Sequence, residues 1–223
     1  MVTLFNLKRG IGLIGPCKSG SSSLQRNGMN GKYLDLGWAQ GPESRAFQRK
    51  SLNHIEFKPK VQDLQWYILS RNPVHWYMSG RYMVMTTRKD VHLFSAEVRY
   101  INLVDFFKHV QEWTLEKIAV NSKIEYQNNF VTHCVMSPYQ IKKSIVNNTK
   151  KLSTINIENK NQRHLITKLI SGNFPHVNKT SFKNKEIICD KAANILIDLS
   201  KEWASAEGYN IEESIENWNI NTA

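Results

Sequence analysis

The sequence predicts an α/β fold of three layers, in which helices flank a mostly parallel sheet. Two observations support this prediction. Apolar runs of strand length alternate along the chain with segments of helical periodicity, and residues that favour the start of a helix follow two of these runs. Alternating strands and helices form βαβ units, whose crossover helices cover a parallel sheet. Ligands of such sheets bind beyond the carboxyl ends of the strands.

The two runs that matter most lie in the first third of the chain. Residues 10–15 predict a short buried strand that leads into a turn. Residues 21–25 predict the start of a helix, because hydroxyl side chains suit that position. Residues 64–69 predict a second strand, and Pro73 behind it is well placed in the first turn of a new helix because its φ is already fixed.

The rest of the chain continues the alternation. An amphipathic helix is predicted over residues 102–116, a strand over residues 152–157 and a helix over residues 162–170. A long helix is predicted over residues 185–206, with an inward apolar stripe made of Ile187, Ile188, Ala192, Ile195, Leu196, Leu199 and Trp203. A chain of 223 residues suffices for one substantial core, so we expect a single domain over residues 1–223.

The bulk composition favours a folded protein without a membrane span. Hydrophobic residues make up 41% of the chain, and no apolar run approaches the roughly 18 residues that a membrane helix needs. The first ten residues lack the apolar core of a signal peptide. The net charge of +11 predicts attraction to anions such as nucleic acid, acidic polysaccharide or a phosphorylated cofactor, without choosing among them.

The three cysteines, Cys17, Cys134 and Cys189, are odd in number and widely spaced. Neither a disulfide framework nor a zinc site follows from that pattern. We therefore predict isolated free thiols in a reducing compartment.

The segment after the first predicted strand has the composition of an anion-binding loop: Gly15-Pro16-Cys17-Lys18-Ser19-Gly20-Ser21-Ser22-Ser23-Leu24. Glycine permits tight turns, and the N–H groups at a helix start favour a phosphate. A Walker A loop would need lysine at position 21, where this chain has Ser21. The one apolar run that ends in an aspartate, residues 195–198, lies inside the predicted long helix. The pattern therefore argues against a magnesium-dependent kinase or NTPase.

A second motif follows the second predicted strand. Arg71 at the end of that strand can present its planar guanidinium to a phosphate. Ser79 lies about two helical turns further along and can offer its hydroxyl to the same ligand. Pro73 starts the intervening helix and fixes the geometry between them.

Together the two motifs resemble those of the PAPS-dependent sulfotransferases, in particular the carbohydrate and heparan-sulfate members. PAPS is the activated-sulfate donor 3′-phosphoadenosine 5′-phosphosulfate. The family's 5′-phosphosulfate loop is similar to Lys18-Ser19-Gly20-Ser21-Ser22-Ser23-Leu24, and its 3′-phosphate segment is similar to that of Arg71 and Ser79. The resemblance implies a P-loop-like fold that moves a sulfuryl group from PAPS to a hydroxyl without a metal. The desulfated product is PAP, which is 3′,5′-ADP. It also implies a carbohydrate acceptor and neither a nucleic-acid nor a membrane partner.

Fainter similarity extends the resemblance to residues 10–209. His133 lies in a stretch that is similar to the His…Pro-x-Gln segment of the carbohydrate members, which implies acceptor binding. Residues 174–181 resemble a loop that precedes the last helix of the family, which implies that Lys179 and Thr180 close over the nucleotide. The chain is short and has no N-terminal anchor of the kind that Golgi members have, so we expect a cytoplasmic protein of microbial or viral origin.

The resemblance also implies catalytic roles. Lys18 would stabilise the bridging oxygen as its bond to sulfur breaks, and residues 19–23 would hold the 5′-phosphate. The family uses a histidine or a glutamate between the two motifs as the general base. His54 is our first choice because it accepts a proton near neutral pH, and Glu43 and Glu56 are the alternatives.

Two other functions stay open at the level of sequence. A small-molecule kinase would bind ATP and magnesium at the same loop. A non-catalytic basic module would bind polyanions in a salt-sensitive way that does not depend on a nucleotide. The sequence indicates neither the identity of the acceptor nor the oligomeric state.

Overall fold

The computed structural model describes residues 2–24, 34–38, 63–86, 99, 101–112, 134–146, 149–170, 174 and 186–222. Within these residues the strands are β1 (Val2–Asn6), β2 (Ile11–Gly15), β3 (Leu34–Trp38), β4 (Gln65–Ser70) and β5 (Lys151–Asn156). The helices are α1 (Pro73–Thr86), α2 (Leu103–Glu112), α3 (Pro138–Ile145), α4 (Lys160–Ile170), α5 (Asp190–Glu207) and α6 (Ile211–Ile220). The predicted α/β class is confirmed.

The chain divides into two compact units, and each is assembled from two separate segments. The first unit comprises Met1–Arg71 with Ser137–Lys179 and holds the sheet together with α3 and α4. The second comprises Asn72–Met136 with Thr180–Ala223 and holds α1, α2, α5 and α6. The single domain expected over residues 1–223 stays a prediction.

The strands of the first unit form one mixed sheet in the order β3-β1-β2-β4-β5. β4 pairs in parallel with β2 and β5, whereas β1 is antiparallel to both β2 and β3. The expectation of a mostly parallel sheet is therefore wrong for the β1 side. The cause is a tight turn over residues 7–10, in which the Gly10 N–H donates to the Leu7 carbonyl at 3.2 Å. So short a connection can join only antiparallel strands. The three-layer arrangement stays a prediction.

The parallel part of the sheet is packed around a close approach of β2 and β4. Trp66 is fully buried opposite Gly12, and a Cβ on Gly12 would lie 2.3 Å from Cε3 of that ring, so no larger residue fits there. Other apolar side chains of the first unit form a core between the sheet and α4: Val2, Leu4, Leu13, Leu24, Leu69, Ile155, Ile157, Ile166, Leu169 and Ile170. This core holds β2, β4 and β5 side by side.

Aromatic side chains form the centre of the second unit. Trp76 and Tyr77 of α1 meet Trp203 of α5 at ring-centroid distances of 5.9 and 6.4 Å, and Tyr77 meets Phe107 of α2 at 6.3 Å. Such edge-to-face contacts are the arrangement that aromatic rings prefer. The aromatic residues Trp66, Trp76, Tyr77 and Tyr82, which flank the second motif in sequence, are all buried.

The long helix α5 begins at Asp190, later than the sequence predicted. The backbone ahead of it is bound by side chains instead of by helical hydrogen bonds. The Glu186 N–H donates to the Tyr82 hydroxyl at 2.8 Å, and the Ile188 N–H donates to Oδ1 of Asn219 at 2.8 Å. These contacts hold the preceding segment in a non-helical conformation.

The predicted apolar stripe of this helix is confirmed in part. Ala192, Leu196 and Trp203 are buried, and so is Ile188 ahead of the helix. Ile187 is 59% exposed, so its assignment to the stripe is wrong. Ile195 and Leu199 are half-buried. The helix ends at Glu207, one residue beyond the predicted end, and Gly208 caps it with a left-handed φ of 74°.

Several elements were not predicted. They are β1, β3, α3 and α6. Ser137 caps α3 by accepting from the Gln140 N–H at 3.2 Å, and Asn210 caps α6 by accepting from the Glu213 N–H at 3.2 Å. Both caps were visible signals for a helix start.

Two further predictions concern the whole chain. The three cysteines, all within the described residues, form no disulfide, as expected. No helix in the described ranges combines the length and the apolar character that crossing a membrane requires.

Candidate functional site

Three strand ends meet at one edge of the sheet in the first unit. β2, β4 and β5 are neighbours and run parallel, so their carboxyl ends lie at the same edge. Beyond these ends the chain continues with residues 16–20, with Arg71 and with Glu158. We call this group of residues the carboxyl edge.

The loop after β2 is a tight turn that leads directly into the first turn of a helix, as predicted. The Ser19 N–H donates to the Pro16 carbonyl at 3.1 Å, and the Leu24 N–H donates to the Gly20 carbonyl at 2.9 Å. Lys18 and Gly20 have left-handed φ values of 62° and 81°. A lysine in this conformation is uncommon and indicates a backbone that its surroundings hold in place.

Gly20 is required by its contacts as well as by its backbone. A Cβ at this position would lie 2.8 Å from Cζ of Phe174. Phe174 is itself half-buried and packs against the core of the first unit. The loop therefore has little room to move toward this ring.

The hydroxyls of the loop differ in burial. Ser19 is fully buried, and its Oγ has no hydrogen-bond partner among the described residues. Ser21 and Ser22 are half-buried, and Ser23 is buried. Buried hydroxyls are nearly always hydrogen-bonded in folded proteins, so Ser19 is an exception among the described residues.

Arg71 connects the strand ends at the carboxyl edge. Its Nη1 donates to the Lys18 carbonyl at 3.1 Å. Its Nε and Nη2 donate to Oε1 of Glu158 at 3.3 and 3.0 Å. The side chains of this ion pair are 22% and 27% exposed. The Arg71 side chain of the second sequence motif thus contacts the backbone of Lys18 in the first.

Glu158 is the residue of this edge that the sequence did not reveal. Its N–H donates to Oδ1 of Asn156 at 2.9 Å, and the N–H of Asn156 donates to Oε1 of Gln162 at 2.6 Å. Asn159 then caps α4 by accepting from the Gln162 N–H at 3.2 Å. The available signal for Glu158 was its position just beyond the predicted strand 152–157, since that strand ends at the same edge of the sheet.

Ser79 belongs to the second unit, where it is buried on α1. The sharing of one phosphate by Arg71 and Ser79 stays a prediction. His75 lies on the same helix, with its ring centroid 5.8 Å from that of Trp218.

Six predicted site residues lie outside the described part of the chain: Glu43, His54, Glu56, His133, Lys179 and Thr180. The general base, the acceptor contact and the closing loop therefore stay predictions. The apolar run that ends at Asp198 lies on α5, as the sequence predicted, and does not end a strand.

No family model matches the chain, and neither a curated protein nor a solved structure matches it. The site is therefore interpreted from its own residues. Within the part of the chain that the structure describes, no three His, Cys, Asp or Glu side chains are grouped as metal ligands would be. The residues of the carboxyl edge include two basic residues, Lys18 and Arg71, one hydroxyl residue, Ser19, and one carboxylate, that of Glu158.

Proposed function

We propose that this chain is a sulfotransferase that transfers the sulfuryl group of PAPS to an acceptor hydroxyl, and we propose a carbohydrate as the acceptor. One observation carries the proposal: Nη1 of Arg71 donates to the Lys18 carbonyl at 3.1 Å. The two motifs that resemble sulfotransferase phosphate segments are thus in contact although these residues are 53 positions apart. Their meeting point is the edge at which sheets of this class bind ligands.

The loop fits a phosphate group in two respects. It leads directly from a strand into the first turn of a helix, and Lys18 supplies a positive charge there. We assign the 5′-phosphate to Lys18 and residues 19–23, and the 3′-phosphate to Arg71 with Ser79. Lys179 and Thr180 as closing residues and His133 as an acceptor contact complete the proposal.

The proposed reaction needs a donor and two side chains of the protein. The bound donor supplies an activated sulfuryl group. Lys18 is proposed to neutralise the negative charge that develops on the leaving phosphate oxygen. His54, with Glu43 and Glu56 as alternatives, is proposed to take the proton of the acceptor hydroxyl. A His54→Ala variant that binds PAP normally and still transfers sulfate would exclude His54.

Glu158 is the feature that fits a phosphate site least. Its carboxylate occupies the guanidinium of Arg71 and repels a second anion. A phosphate at Arg71 therefore has to compete with a negative charge that belongs to the protein.

Calorimetric titration with PAP in the absence of metal tests the proposal. We expect a dissociation constant on the order of micromolar for the natural chain. We expect a loss of about 100-fold in Arg71→Ala, because a charge-assisted contact to phosphate is removed. Arg9→Ala is the matched control. Arg9 is also an arginine of the first unit that donates to backbone carbonyls, those of Lys168 and Leu169, but it lies before β2 at the opposite end of the strand.

The same titration separates the alternatives. Absence of PAP binding by the folded protein would contradict the sulfotransferase proposal. Binding of ATP with magnesium in preference to PAP would support a kinase. Salt-sensitive binding of nucleic acid that PAP does not affect would support a basic polyanion-binding module.

A further inference from the structure

The ion pair of Arg71 and Glu158 uses the same guanidinium that the proposed function gives to a phosphate. Nε and Nη2 of Arg71 both contact Oε1, so the pair lacks the two-oxygen fork of the strongest arginine–carboxylate contacts. Both side chains are also partly exposed, at 22% and 27%. Water competes for such a pair, so it contributes little to stability and can be exchanged for another contact.

Arg71 has a second anchor that does not depend on the carboxylate. Its Nη1 donates to the neutral carbonyl of Lys18 in the loop. Glu158, in turn, is held by the hydrogen bond from its N–H to Oδ1 of Asn156. The guanidinium can therefore stay beside the loop when its anionic partner changes, while the backbone that carries Glu158 stays in place.

From these contacts we infer that Glu158 sets the affinity of the carboxyl edge for anions: its carboxylate is a built-in competitor that a ligand phosphate has to displace from Arg71. The inference rests on the proposed function in one respect, since it takes the 3′-phosphate of the nucleotide as that ligand. Its consequence is that the site binds PAP more weakly than its cations alone would allow.

Protection of Arg71 from chemical modification tests this inference without any nucleotide. Phenylglyoxal modifies arginine side chains, and mass spectrometry of the peptide that contains Arg71 measures the rate at this residue. Inorganic phosphate should slow the modification of Arg71 in the full chain. In Glu158→Gln the concentration of phosphate that gives half protection should fall about tenfold, because a like charge beside the bound anion is removed. An unchanged or higher concentration overturns the inference.

Asp63→Asn is the matched control, because it removes one negative charge at the other end of the same strands. Asp63 precedes β4 and pairs with Lys150, which precedes β5, at 2.6 Å. Asp63→Asn should leave unchanged the phosphate concentration that gives half protection of Arg71. An equal shift in Asp63→Asn would show a general charge effect and overturn the inference. Glu158→Asp keeps the charge on a shorter side chain and should shift half protection in the same direction by less than Glu158→Gln does.

Titrations with PAP and with AMP, which lacks the 3′-phosphate, connect the inference to the proposed function. Glu158→Gln should bind PAP about tenfold more tightly and AMP unchanged, because only PAP offers a phosphate to Arg71. If PAP binds with unchanged or lower affinity, Glu158 is not a competitor and the inference is wrong. If PAP binds to no variant, the proposed function fails, while half protection by inorganic phosphate still decides the role of Glu158.

Discussion

An arginine–glutamate pair occurs in each unit of the chain: Arg71 with Glu158 in the first and Arg81 with Glu186 in the second. The arginine of the first pair is 22% exposed and that of the second is 3% exposed. In the first pair both donors reach one carboxylate oxygen. In the second, Nε and Nη2 reach different oxygens at 3.0 and 3.1 Å.

The surroundings of Arg81 add to this difference. Its Nη2 also donates to the Ile101 carbonyl at 2.7 Å, and its guanidinium lies 5.2 Å from the centroid of the Phe106 ring. Bidentate geometry, burial and a cation–π contact together make it a fixed structural element. The comparison teaches that the same two residue types can form a clamp or an exchangeable contact, and that exposure and fork geometry decide which.

The largest expected effect, on stability, tests directly whether the two arginine–glutamate pairs differ in this way. Replacing Arg81 by Met should lower the free energy of unfolding by about 3 kcal/mol, because it removes the two hydrogen bonds to Glu186 and the one to the Ile101 carbonyl from a buried guanidinium. Arg71→Met should lower it by about 1 kcal/mol or less, since its pair is partly exposed. Chemical denaturation measures both. If Arg71→Met destabilises the chain as much as Arg81→Met does, the first pair is also a clamp, and its exchange for a phosphate loses support.

A smaller effect concerns the loop to which Arg71 is bonded. Gly20→Ala should lower the free energy of unfolding by about 2 kcal/mol, from a left-handed alanine and from the forced contact with Phe174. Gly208→Ala is the control in the second unit. Gly208 has a φ of 74° but open space around its Cβ position, so only the backbone term of about 1 kcal/mol applies. Equal losses would mean that Phe174 does not constrain the loop.

The smallest expected effect concerns the pH dependence of stability, which tests whether Tyr77 is buried in the second unit. Burial raises the pKa of the Tyr77 phenol, and the nearby Cys134 adds to the shift. Because the pKa in the folded state exceeds the unfolded value of about 10, this contribution to stability is complete below pH 10 and is lost as the pH rises. From pH 10 to 11 the natural chain should lose about 1 kcal/mol more than Tyr77→Phe. Parallel pH profiles for the two proteins would contradict a buried phenol.

The elements around the two motifs could be predicted from sequence, and those that depend on pairing could not. β2 and β4 begin and end within one residue of the predicted strands, because apolar runs bounded by turn residues mark them clearly. The antiparallel position of β1 follows from the four-residue turn that leads to β2, but the five-residue strand itself was not predicted.

The candidate site divides in the same way. Lys18 and Arg71 follow strands that the sequence marked, so their meeting at one edge could be expected. Glu158 acquires its role only because β5 pairs in register with β4, which brings it beside an arginine 87 positions away. The sequence places Glu158 just beyond a predicted strand, but it does not specify that this strand pairs with β4.

The last helix has a consequence for how this protein can be shortened. Besides the bond that it accepts, the side chain of Asn219 donates to the Ile188 carbonyl at 2.9 Å, and Nε1 of Trp218 donates to the Glu186 carbonyl at 3.0 Å. α6 therefore anchors the segment that supplies the carboxylate opposite Arg81. An expressed fragment that stops at Gly208 would lose this anchor along with α6, so a C-terminal truncation should keep α6 to its end at Ile220.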